Sequence, residues 1–317
     1  MTDLKLKSRA NSIGLALVLF FASSQLLVLL ANFLLSMSVK GASLQNPIGI
    51  APWIPQLIRL FISIVSLCIP ILVLRFFCKL PPPADKLSTK MPKPMVLLYS
   101  LGIFFIIVTF SGILVKCVSW VLYSGFKLEG IAPQVLPVGA FALFLVFLRS
   151  VVVPAFLEEI LFRGAIQTSL LPCGERFAVI TTSVLFALYH QDFSQMLGVF
   201  ILSMCLGTAA VRTKSIALPI ILHFANNGIS FLLSVLTEHL DGTSALAFSV
   251  VLFTFYIALG LFSIYYIKTQ KIKFAPLSVV KPLKNSKSRF EIMLTSPLFA
   301  VCVVLIGCII VSRLILG

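Results

Sequence analysis

The chain has 317 residues, 59% of them hydrophobic and 11% charged, with 28 phenylalanines and a mean hydropathy of +1.10. That balance excludes a soluble globular domain and predicts a single all-α, polytopic integral membrane domain over residues 1–317. The net charge of +15 raises nucleic acid as a partner, but the basic residues fall between apolar runs, so the partner they answer to is the lipid bilayer.

The first apolar run, 12–36, is long enough to span and reads as a retained helix rather than a cleaved signal sequence. Further spans are expected at 54–76, 94–122, 137–170, 177–193, 196–211, 215–236, 244–267 and 293–315, eight or nine in all. The stretch 136–171 would exceed about 50 Å as one straight helix, against about 30 Å of hydrocarbon, so a kink is expected at Pro154 and a break at Pro137 or Gly139. Lys5, Lys7 and Arg9, then Arg75, Lys79, Lys86, Lys90 and Lys93, then Arg176, Arg212, Lys214 and the basic loop 268–289 all fall on one side of this arrangement. The other side holds little more than Lys40 and Lys127 beside Glu129, Glu238 and Asp241. The asymmetry predicts a cytoplasmic N-terminus, in a plasma membrane or a prokaryotic inner membrane. The basic loop 268–289 is expected to lie against anionic headgroups. The seven cysteines show no metal-ligand spacing and read as small buried hydrophobes.

Against this background a few polar groups stand out. Of ten acidic residues, eight (Asp3, Asp85, Glu129, Glu175, Asp192, Glu238, Asp241 and Glu291) fall in or beside predicted loops; Glu158 and Glu159 do not. An ionisable group inside a bilayer must be paired, protonated or set at a water-filled cavity, which makes it a functional candidate. Arg163 lies four residues after Glu159, the spacing of a direct helical ion pair, whereas Glu158 sits about 100° around the helix and points elsewhere. Two of the three histidines, His190 and His223, fall inside apolar spans, while His239 reads as a solvated loop residue. At 1.5 Å per residue, Glu158 and His190 each lie about 20 Å, and His223 about 13 Å, from the basic ends of their helices. They are therefore expected to share one cavity in the inner-to-middle membrane, opening to the cytoplasm.

A carboxylate in an apolar surround is made more basic by desolvation, which suits a general base, and histidines with an amide can hold a water or donate to an oxyanion. Glu and His are also possible zinc ligands, but the spacing is not HExxH, and the residues alone leave a metal-bound and a side-chain-held water both open. A plain structural role, helices held together by Glu159, Arg163 and the histidines, would not require two histidines at matched depths.

The segment Glu158-Glu159-Ile-Leu-Phe-Arg163 resembles the EExxxR motif of the CPBP (Abi) family, the intramembrane CAAX prenyl endopeptidases and bacteriocin-processing or immunity proteins. Phe186-Ala-Leu-Tyr-His190 is similar to its FxxxH motif and His223-Phe-Ala-Asn226-Asn227 to its HxxxN motif, the three in order over about 154–228. The resemblance implies an endopeptidase acting on a lipid-anchored, membrane-associated or prenylated protein. It implies that Glu158 activates the water with help from His190, that His223 and Asn227 stabilise the oxyanion, and that Glu159, Arg163 and Phe186 support the site. No cofactor is expected, with zinc left open. A nonenzymatic immunity or interaction protein is the alternative, and a transporter a weaker one, since no inverted repeat is evident.

Overall fold

The computed structural model describes residues 2–79, 88–126, 136–280 and 287–316, and apart from one isolated bridge between Ser88 and Ser215 all regular structure among them is helical. The loop charges Asp85, Lys86, Lys127 and Glu129 lie outside the described residues. In chain order the helices are α1 (Asp3–Ser38), α2 (Trp53–Leu72, prolonged by a wide turn over Val73–Phe77), α3 (Pro94–Phe126), α4 (Ala140–Cys173) and α5 (Glu175–Tyr189). They continue as α6 (Met196–Thr213), α7 (Ala217–His239), α8 (Gly242–Thr269), the short α9 (Arg289–Leu294) and α10 (Pro297–Leu316).

Each of the nine expected segments is a helix, and seven (α1 to α4 and α6 to α8) are long and apolar enough to cross a membrane. Of the remaining two, helix α5 has 15 residues, about 22 Å against a hydrocarbon core of about 30 Å, whereas α10 has 20 residues, with an apolar stretch that includes Pro297–Arg313. The chain is an integral multi-pass membrane protein with polar groups turned inward. Glu158, Glu159, Arg163, Gln167, Thr168 and Ser169 are buried on α4, while Phe110, Ile113, Val251 and Phe255 face outward, as lipid requires. The cysteines follow the expectation only in part: Cys173 and Cys302 are buried, but Cys117 and Cys308 are exposed on the outer faces of α3 and α10.

Two close approaches set the packing around the site. A Cβ on Gly102 of α3 would stand 2.5 Å from the Leu259 carbonyl oxygen of α8, and one on Gly260 would stand 2.7 Å from Ile106 Cβ, so these helices cross backbone to backbone. Across α4 and α6, Gln167 Nε2 donates to the Gly207 carbonyl at 3.0 Å.

The basic turns collect at one end of the bundle. Ser88 N–H donates to Lys214 O at 2.7 Å and Ser215 Oγ to Lys90 O at 2.7 Å, tying the α2–α3 connector to the α6–α7 turn. Residues 270–280 form a strap across this end, where Arg176 N–H donates to Ser278 O at 3.2 Å and Ser278 N–H to Glu175 Oε2 at 2.8 Å. The strap is thus held to the protein at Ser278.

Candidate active site

Helix α4 begins directly after Gly139, whose φ of 105° breaks the chain direction at one of the two expected positions. The relief expected at Pro154 takes the form of winding: wide π-type turns cover Leu148–Val152, Pro154–Glu158 and Ile160–Gln167, with Val153 and Glu159 between them. Pro154 has no N–H to give to the ladder, and Thr168 Oγ1 caps the loosened backbone by donating to Arg163 O at 2.8 Å. Such widened turns are rare and concentrate at functional sites. Here they carry the two glutamates and the arginine.

The ion pair expected from spacing is present, with Arg163 Nη1 donating to Glu159 Oε1 at 2.8 Å and both side chains fully buried. The same oxygen accepts from His223 Nδ1 at 2.8 Å. Arg163 reaches onward through Nη2 to Ser203 Oγ at 2.8 Å and Ser203 O at 3.2 Å, while its guanidinium lies over the Phe186 ring, 4.6 Å from the centroid. Glu159 therefore orients a histidine as well as an arginine, joining α4, α6 and α7 in one buried network.

Glu158 points the other way, as the helical offset predicts, into a cavity of about 490 Å³ that also takes His190, His223, Asn226, Asn227 and Gln195 into its lining. Its Oε2 has no hydrogen-bond partner and stands 4.0 Å from His223 Nε2. The backbone settles the tautomer of His190: its Nδ1 lies 2.8 Å from Phe186 O, an atom that only accepts, so Nδ1 carries the hydrogen and Nε2 is left for the cavity. Asn227 donates one Nδ2 hydrogen to Ser150 O at 3.1 Å and accepts from Asn226 Nδ2 at 3.1 Å, keeping its second Nδ2 hydrogen free of those bonds. Phe186 is fully buried, its ring 4.7 Å from that of His190. All seven residues singled out in the sequence thus meet in one region, and His239 stays apart at the exposed end of α7.

The direction of the cavity differs from the expectation. His190 and Gln195 bracket the α5–α6 turn, and Val115, Ser150 and Ser230 line the same space. Gln195, Val115, Ser150 and Ser230 lie on the side of Glu158 and His223 away from the basic turns. Helix α5, 15 residues long, ends at Tyr189 beside the cavity, which extends from there toward the end of the bundle opposite the basic turns. Depth counted along each helix located the groups but not the opening, because the opening is made by the early end of α5.

Some residues of the site escaped the sequence reading. Tyr189 Oη donates to Glu158 Oε1 at 3.3 Å, and its ring packs on Phe20 of α1 at 4.8 Å and on Phe162. Asp192, read as a loop charge, is buried and starts α6 by accepting from Ser194 N–H at 3.0 Å and Gln195 Nε2 at 2.7 Å. Ser203 and Gly207, four apart on α6, are the groups a search for the partners of Arg163 and Gln167 would have sought. Among the described residues no three His, Cys, Asp or Glu side chains form a metal-binding group.

Residues 139–229, which open at the Gly139 break and close just beyond Asn227, match the family model described as type II CAAX prenyl endopeptidase Rce1-like. Over these residues the chain is similar to the CAAX protease (Abi/CPBP) family. It is also similar to the membrane-embedded CAAX protease MroQ of Staphylococcus aureus (strain USA300), with 28% identity over 158 residues, covering 48% of this chain and 63% of that protein. No solved structure matches. The family match therefore runs from the start of α4 into α7 and takes in the residues of the buried network.

Proposed function

We propose that the chain is an intramembrane endopeptidase that hydrolyses a peptide bond in a lipid-anchored or membrane-associated protein, prenylated proteins being the class indicated by its family. The observation that carries this reading is the meeting of Glu158, His190, His223 and Asn227 around one cavity, with Glu158 Oε2 unsatisfied. A water between Glu158 and His190 Nε2 would lose a proton to Glu158 as its oxygen attacks the scissile carbonyl, and the same proton would pass to the leaving amine. Asn227 Nδ2–H and a protonated His223 Nε2 would face the oxyanion, with Glu159 holding the imidazolium as Arg163 holds Glu159. The basic end of the bundle is read as cytoplasmic.

The test uses a farnesylated peptide ending in a CAAX sequence, with purified protein in nanodiscs. Glu158→Gln is expected to lower the rate by roughly 10²–10⁴-fold, the worth of a general base, at unchanged membrane yield. A rate equal to the unsubstituted protein's would remove Glu158 as the base and favour the nonenzymatic reading. Side-chain-held water is the preferred form because His223 and Asn227, four apart on one face of α7, present a pair of donors to the cavity. Chelator-treated protein is then expected to keep its rate, whereas loss with chelator and recovery with zinc would assign a metal-bound nucleophile.

A further inference from the structure

A second cavity, of about 520 Å³, lies on the basic side of the first, between α3, α6, α7 and the end of α8. Ile103, Phe104 and Ile107 of α3 and Ile201 and Met204 of α6 make its walls, and its lining includes no acidic residue. Apart from Thr208, polarity gathers at the end near the basic turns, where Arg212 and Thr213 close α6 and Tyr99 stacks on Tyr266 under Phe274 of the strap. Among the described residues Arg212 has neither an ion pair nor a hydrogen bond from its side chain. An apolar slot with a single cation and tyrosines at its interfacial end matches an amphiphile with a negative head, since basic pockets between membrane helices take anionic lipid headgroups.

We infer that this cavity binds one acyl chain of an anionic phospholipid, with the phosphate at Arg212 and the chain along Ile103, Ile107 and Met204. The far end of the slot, at Ile107, Ile201 and Leu222, is one residue along each helix from Val108, Leu202 and His223 of the candidate active site. Helix α6 stands between the two: Ser203 and Gly207 hold Arg163 and Gln167 on one face, and Met204 and Thr208 meet the slot on another. A bound chain therefore supports the helix that fixes the Arg163 network. The inference does not rest on the peptidase reading, because binding itself is measured.

The experiment is native mass spectrometry of the full chain offered equal amounts of phosphatidylglycerol and phosphatidylcholine with matched chains. The unsubstituted protein is expected to retain one phosphatidylglycerol with about fivefold preference, the effect of one basic side chain on an anionic lipid. Arg212→Gln abolishes the preference, Arg212→Lys restores it, and Met204→Trp, by filling the slot, loses both lipids. Ile103→Trp repeats the filling from the α3 side should Met204→Trp be poorly folded. Equal retention of the two lipids by the unsubstituted protein, or a preference that survives Arg212→Gln, overturns the assignment of the head. Undiminished retention in folded Met204→Trp and Ile103→Trp overturns the assignment of the chain.

Discussion

The adjacent glutamates carry different burdens, and their amides separate them. Glu158 faces the cavity with one oxygen unpartnered, so Glu158→Gln removes a reactive group without opening the fold. Glu159 is the shared acceptor of Arg163 and His223 in a fully buried setting. Its replacement by Gln leaves the guanidinium uncompensated, a loss on the order of 3–5 kcal/mol for a broken buried pair. Thermal unfolding in detergent is expected to show a lowered midpoint for Glu159→Gln and an unchanged one for Glu158→Gln; equal midpoints would mean that Arg163 is held by Ser203 and Phe186 without Glu159. Tyr189 adds a third case. Its hydroxyl fixes one oxygen of Glu158 and does not line the cavity, so Tyr189→Phe is expected to cut kcat about tenfold, as loss of a hydrogen bond to a charged group does, at unchanged KM. A change in KM alone would place Tyr189 at the substrate instead. The glutamates, histidines and Asn227 were legible because each is a polar exception in an apolar run. Tyr189 was not, since a tyrosine in such a run is as well explained by its rings' packing on Phe20 and Phe162.

At the scale of helices, α3 tests the packing within a single element. Gly102 has Leu259 O in the way of any Cβ, while nothing lies within 4 Å of one at Gly112. Gly102→Ala must push α8 away, at a cost of about 1–3 kcal/mol for overpacking, and Gly112→Ala must not. A lower unfolding midpoint for the first and none for the second is the expected pair; equal effects would mean that glycine on α3 matters for the helix backbone rather than for the crossing. Hydrophobic runs marked where these helices lie because a membrane span needs length and apolarity alone. They did not separate α5 from a full crossing, since only six residues, His190 to Gln195, divide its apolar run from that of α6, while the backbone stops being helical at His190. Nor could they reveal the wide turns of α4: Pro154 announces lost hydrogen bonding, but whether the helix kinks or widens is decided by what Glu159, Arg163 and Gln167 reach on α6 and α7.

For the whole molecule, charge and cavity point to opposite ends. The turns bearing Lys90 and Lys214 are linked to each other, and that bearing Arg176 to the strap at Ser278, while the cavity at Glu158 extends from mid-bundle toward Gln195 and Ser230. On the reading that the basic end is cytoplasmic, this cavity faces the half of the membrane away from the cytoplasm, and the apolar slot between α3 and α6 lies on its basic side. Cysteine labelling reads both parts of this arrangement at once, in a background with the seven native cysteines replaced. Lys5→Cys is expected to react with a membrane-impermeant maleimide only in inverted vesicles, and Gln195→Cys only in right-side-out ones. Reaction of both from the cytoplasmic side would mean that the cavity opens past α6 toward the basic end. Reaction with the two sides exchanged would keep the cavity where it is and invert the chain in the bilayer, which would bring a lipid-anchored cytoplasmic substrate directly to Glu158.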